Sequence, residues 1–78
     1  MIEIGQVEQL LAVSKYGTLS KAADALHISQ PALSRAMQKL EEELQVPIFD
    51  REKNRITLNA TGKVAVDYAQ KVLFSAND

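Results

Sequence analysis

The 78-residue chain is 46% apolar and 24% charged, the make-up of one small globular domain and not of a disordered, collagen-like or low-complexity segment. Cysteine is absent, which removes disulfide frameworks, thiolate metal sites and cysteine nucleophiles together, and no apolar run approaches the roughly 20 residues that cross a bilayer. Nine basic residues face ten acidic ones for a net charge of −1, so any surface for a polyanion depends on where the charges fall and not on their sum.

The first residues lack the charged lead, apolar stretch and small-residue cleavage site of a secretion signal, and a cytoplasmic location is expected. Ile4, Val7, Leu10, Leu11 and Ser14 stand at helical spacing. That first helix should end near Tyr16, where Gly17 can take the left-handed conformation that terminates a helix. Leu19, Ala22, Ala23 and Leu26 repeat at i, i+3, i+4, i+7, predicting a second helix of about two turns with Ser20 as its N-cap. Ser29 is the expected N-cap of a third helix. Pro31 is tolerated in its first turn, where no intrahelical N–H is needed, and the apolar set is Leu33, Ala36, Met37, Leu40 and Leu44. Pro47 closes it.

From Ile48 the pattern changes. Ile48-Phe49 and Ile56-Thr57-Leu58 are β-favouring and flank the polar stretch Asp50-Arg51-Glu52-Lys53-Asn54-Arg55. They predict a hairpin with strands of two or three residues, turning at Asn54, which accepts positive φ without glycine. Asn59 then caps a last helix through Val64, Ala65, Tyr68, Ala69, Val72 and Leu73. Its apolar arc, bounded by Val64 and Val66, covers roughly 200° at 100° per residue, about twice what one core requires. The surplus predicts a second partner, such as another copy of the chain. Phe74 falls on the polar side of this helix, a mild sign that the chain continues beyond it.

Two short helices joined by His27-Ile28-Ser29 meet the requirement of a helix-turn-helix. The small Ala22 and Ala23 permit close approach, and Leu26, Ile28, Leu33 and Ala36 supply the shared contact. A plain helical hairpin has the same backbone pattern. The outer face of the third helix adds information: Pro31, Ser34, Arg35 and Gln38 lie opposite Leu33, Ala36 and Leu40, and no acid occurs from His27 to Lys39. Arginine and glutamine read guanine and adenine edges bidentately, and serine accepts several partners. A merely solvated face would mix charge signs in i, i+4 pairs. At the hairpin tip, Arg51, Lys53 and Arg55 outnumber Asp50 and Glu52, which suits phosphates or a narrow minor groove. Ser20, Lys21 and the start of the second helix could add phosphate contacts.

Catalysis finds little support. His27 is the single histidine and reads as a turn residue with its ring partly packed; with no cysteine, a metal site would need mostly carboxylates. Glu41-Glu42-Glu43 are consecutive on a helix and point in different directions, so they read as a solvated helix end. Gly5, Gly17 and Gly62 are too dispersed to cradle a phosphate. No catalytic residue, metal or cofactor is expected.

The string Leu19-Ser20-Lys21-Ala22-Ala23-Asp24-Ala25-Leu26-His27-Ile28-Ser29-Gln30-Pro31-Ala32-Leu33-Ser34, followed by Leu40-Glu41-Glu42-Glu43-Leu44 and Ile48-Phe49-Asp50-Arg51, resembles the N-terminal domain of LysR-type transcriptional regulators. The resemblance runs on to Leu58-Asn59-Ala60-Thr61-Gly62 and covers essentially the whole chain. It implies a mainly α, winged helix-turn-helix fold: a three-helix core, a short β-hairpin wing and a long C-terminal helix. Residues 1–58 would be the DNA-binding domain, and 59–78 a linker and dimerisation helix leading to an effector-binding domain that the sequence does not include. By the same resemblance the partners are double-stranded DNA and a second copy of a bacterial protein. Gln30, Pro31, Ser34 and Arg35 would meet bases, Gln38 and Lys39 would lie nearer the backbone, and Arg55 would point toward the minor groove with Lys53 beside it. Ala65, Tyr68, Ala69, Val72 and Leu73 are the expected dimer seam. A small-molecule effector would belong to the missing domain, and no membrane is implied. Two departures stand out. Gln45-Val46-Pro47 replaces the family's glycine after the third helix, so either Gln45 adopts a left-handed conformation at a cost of ~1 kcal/mol or the helix ends differently, and the wing lacks glycine altogether. A winged-helix module that binds protein instead of DNA is the alternative, favoured by the net acidity.

Overall fold

The computed structural model describes residues 2–53 and 55–77, and side-chain surroundings as far as Val72. Along them run α1 (Ile4–Tyr16), α2 (Leu19–Leu26), α3 (Gln30–Leu44), β1 (Phe49–Glu52), β2 (Arg55–Leu58) and α4 (Ala60–Asn77). Each helix boundary has a local cause. Gly17 takes φ 91° and returns its N–H to the Val13 carbonyl, ending α1. At the start of α2 the cap is Thr18 and not Ser20: Thr18 is extended, and its hydroxyl accepts from the Lys21 N–H at 3.1 Å. Leu19 must lie inside the helix to reach the core, where it is fully buried, and this moves the cap two residues upstream. Ser20 is an exposed residue of the first turn.

His27 ends α2 at φ 60°, a left-handed conformation that histidine accepts more readily than most residues. The residue is exposed. Ser29 caps α3 as expected, its hydroxyl accepting from the Ala32 N–H at 3.2 Å, and Pro31 sits in the first turn. Gln45 closes α3 at φ 61°, its N–H held by the Glu41 carbonyl at 2.8 Å. This is the glycine-like conformation, one of the two endings left open by the sequence.

Leu33, Met37 and Leu40 of α3 pack with Leu10 and Val13 of α1, Leu19, Ala22 and Ala23 of α2, and Ile48, Phe49 and Val66 in one buried cluster. Ala22 and Ala23 have essentially no exposed surface. A larger side chain at either position would overpack the helix-turn-helix, where interiors are as dense as crystals.

β1 and β2 pair antiparallel in the register Phe49↔Leu58, Asp50↔Thr57, Arg51↔Ile56 and Glu52↔Arg55. The strands are four residues each, longer than expected, because the polar stretch Asp50-Arg51-Glu52 pairs as strand instead of looping out. Asn54, the expected turn residue, lies outside the described residues. The hairpin is anchored at its base on two sides. Asn59 donates its N–H to the Ile48 carbonyl at 3.0 Å and its side-chain amide to the Pro47 carbonyl at 3.1 Å, and its side-chain oxygen caps α4 by accepting from the Gly62 N–H at 2.8 Å. Gly62 fits because it has no side chain: a Cβ there would overlap the Ile48 carbonyl oxygen and approach Leu58 Cδ2 to 2.7 Å. On the other side Glu41 reaches from α3 to the wing, described below.

The wide apolar arc of α4 divides in two. Val66 turns into the core at 5% exposure, whereas Val64 and Tyr68 remain 69% and 71% exposed. With Ile4 and Val7 of α1 and Leu44 of α3, the outward residues Val64, Tyr68 and Val72 wall an apolar hollow of about 530 Å³ open to solvent. The side chains of Leu73 and Phe74 lie outside the described residues.

Candidate nucleic-acid interface

The outer face of α3 is built by its inner face. Burial of Leu33, Met37 and Leu40 fixes the rotation of the helix, and the residues about 180° away must then face outward. Gln30, Pro31, Arg35 and Gln38 are exposed, and Ser34 is half-buried at the margin toward the wing. Pro31, Ser34, Arg35 and Gln38 therefore share one face of a single helix, while Gln30, seven residues before the buried Met37, is exposed because it stands at the helix's N-terminal end. Lys39 is exposed at the opposite margin. There it lines a shallow depression with Glu3, the N-cap of α1, with Gln6 and with Glu43, so its charge has carboxylates for neighbours. Arg35, Gln38 and Lys39 also border the carboxylate-bearing Glu42.

Ser20 and Lys21 are exposed on the first turn of α2, a different element, and the Lys21 N–H is already engaged by Thr18. On the wing, Lys53 follows β1 and Arg55 opens β2 opposite Glu52; both are exposed. The third wing cation is committed elsewhere: Arg51 Nη2 lies 3.0 Å from the Glu41 carboxylate. Arg51 stays exposed but its charge is paired, so the wing cations with no ion pair among the described residues, Lys53 and Arg55, sit at the tip.

Glu41 is the functional-region residue that the sequence reading missed. It is not a solvated helix end. Its Oε2 accepts from the Ile48 N–H at 2.8 Å and the Phe49 N–H at 3.3 Å, and its Oε1 accepts from Arg51. A signal existed in its position: Glu41 stands seven residues after Ser34 on one helical stripe and directly follows the buried Leu40. Among the described residues no group of three or more His, Cys, Asp or Glu could hold a metal ion.

The family model described as "bacterial regulatory helix-turn-helix protein, lysR family" matches residues 4–63. A "Probable RuBisCO transcriptional regulator" of Trichormus variabilis is 40% identical over 70 residues, covering 90% of this chain and 21% of that protein. The chain thus spans about a fifth of the length of the curated relatives it matches. Among solved structures, the CbnR DNA-binding domain in complex with DNA superposes with a TM-score of 0.87 at 36% identity, covering 97% of this chain and 87% of that one. The BenM DNA-binding domain bound to catB site 1 DNA gives 0.85 at 34% identity, covering 97% and 82%. The winged helix-turn-helix architecture is shared throughout. Sequence and fold agree that this chain belongs to the lysR family of bacterial regulatory helix-turn-helix proteins.

Proposed function

We propose that the chain is the sequence-specific DNA-binding domain of a cytoplasmic transcriptional regulator, acting as a dimer on a near-palindromic operator. The observation that carries this is the outer face of α3, where Arg35 and three neutral polar side chains are presented with no carboxylate from Gln30 to Leu40 and with the Glu41 carboxylate turned to the wing. Inserted in the major groove, Arg35 would engage guanine, Gln30 adenine, Ser34 either partner, and Pro31 an apolar base edge, with Gln38 nearer the backbone. Ser20, Lys21 and Lys39 are placed for phosphates, which set register without carrying sequence information. Lys53 and Arg55 at the wing tip suit the electronegative minor groove of A·T-rich flanks. The family is one of regulators and not of enzymes, and no part of this reading calls for a cofactor.

One α3 reads only a few base pairs, so specificity requires a second copy with its recognition helix about one turn, ~34 Å, away. The exposed stripe of α4 supports a seam made by Ala65, Tyr68, Ala69, Val72 and Leu73; of these, Tyr68 and Val72 are exposed and Ala65 and Ala69 half-buried. On this reading residues 1–58 bind DNA and 59–78 begin the dimerisation helix. Control by a small effector would reside in a further domain.

The test is an anisotropy titration against random-sequence duplexes at ~50 and ~200 mM salt, since phosphate contacts release counterions and bind more weakly as salt rises. Sequencing the bound pool then gives the half-site and its spacing. Arg35→Ala should cost ~1–3 kcal/mol and relax preference at one base pair. An equal loss on every sequence would make Arg35 a phosphate contact. No binding by a folded, dimeric protein would leave the protein-interaction module as the better reading.

A further inference from the structure

Glu41 occupies an unfavourable place for a carboxylate taken alone. It lies in the C-terminal third of α3, where the helix end carries partial negative charge. Its side chain is nonetheless only 16% exposed. Three donors from outside the helix account for this: the main-chain N–H groups of Ile48 and Phe49, at 2.8 and 3.3 Å, and the Arg51 guanidinium at 3.0 Å. All three belong to the segment that enters and forms β1.

The remaining tethers at the base of the hairpin run elsewhere. Asn59 bonds to the Pro47 and Ile48 carbonyls from the start of α4. The bonds of Glu41 tie β1 to the recognition helix itself, on the stripe that also carries Ser34 and Gln38. Between α3 and β1 the backbone passes through left-handed Gln45 and exposed Val46 and Pro47, so the covalent connection alone does not determine the angle of the wing.

We propose that Glu41 is a positioning residue: its carboxylate fixes the wing against α3, so that base reading by α3 and the wing-tip contact of Arg55 occur on one DNA duplex together. By binding Arg51 it also partly neutralises the wing's third cation, leaving Lys53 and Arg55 at the tip. The inference rests on the DNA-binding reading above and names the residue that joins its two halves.

The test is a double-mutant cycle on a duplex recovered from the random pool, using Glu41→Gln, Arg55→Ala and the pair. Glutamine keeps an acceptor for the Ile48 N–H and loses the ion pair with Arg51. The expected result is that Arg55→Ala weakens binding several-fold in the wild-type background and by less than about twofold in the Glu41→Gln background, because contacts that act together are not additive. Arg35→Ala, run as a control, should retain its full fold-change in both backgrounds, which a general loss of folding would not allow. Should Glu41→Gln fail to give a cooperative melt, Arg51→Ala breaks the same ion pair from the wing side and is cycled with Arg55→Ala instead. Full, multiplying effects of Arg55→Ala in both backgrounds overturn the positioning role while leaving DNA binding intact. Absence of DNA binding by the wild type overturns both.

Discussion

Replacing Gln45 with glycine should make the domain more stable, and the size of the gain can be worked from the backbone. Gln45 sits at φ 61°, ψ 26°, with its N–H bonded to the Glu41 carbonyl at 2.8 Å. The last turn of α3 closes through this conformation, so the residue cannot relax without releasing the cap. A side chain with a Cβ pays about 1–2 kcal/mol for left-handed geometry, and glycine does not. Against this, glycine gives the unfolded chain more freedom, which costs about 0.4–1 kcal/mol. Gln45 is exposed, so little packing is lost. At the middle of both ranges the net is a stabilisation of about 0.8 kcal/mol, which for a domain this small raises the melting midpoint by about 3–6 °C. Gln45→Ala is the control: it removes the rest of the side chain but keeps the Cβ, and should give no gain. Both are measured by thermal and urea unfolding, followed by far-UV circular dichroism at one protein concentration, because self-association shifts apparent stability. A glycine variant no more stable than the wild type would refute the reasoning and show that this left-handed position carries no strain for glutamine.

Other perturbations separate the structure from the simpler readings of the chain. Thr18→Ala should cost about 0.5–2 kcal/mol through loss of the α2 cap, while Ser20→Ala should stay within about 0.5 kcal/mol in the same unfolding assay; the reverse order would put the cap at Ser20. Gly62→Ala forces a methyl against the Ile48 carbonyl and Leu58 and should destabilise by about 1–3 kcal/mol, with a wild-type melt as the contradicting outcome. Tyr68→Glu places a charge on the exposed stripe of α4. Sedimentation should show less dimer and titration a weaker hold on a palindromic duplex, with half-site binding little changed. An unaltered dimer would remove α4 from the seam.

Most of the helical frame is legible in the chain because its causes are local. Gly17, Ser29 and Pro31 act within one turn of where they stand, and the spacing of Leu33, Met37 and Leu40 names the side of α3 that is buried and hence the side that faces outward. The left-handed conformation of Gln45 was one of two endings that the resemblance left open for α3, and the structure takes it. Features set by longer reach were not legible. Thr18 and Ser20 are both competent caps, and the choice between them turned on where Leu19 had to point. The polar Asp50-Arg51-Glu52 looked like a loop until strand pairing placed Arg51 beside Ile56. The apolar arc of α4 contained Val64 and Val66 alike, and only packing against α1 and the hairpin sent one outward and the other into the core. Glu41 shows the physical reason most clearly. Periodicity reports how one element divides its faces, and it is silent on a carboxylate that meets backbone and side-chain donors seven to ten residues further along the chain. Those bonds exist only once the chain has turned back at Gln45 and laid its wing against the helix that would read the DNA.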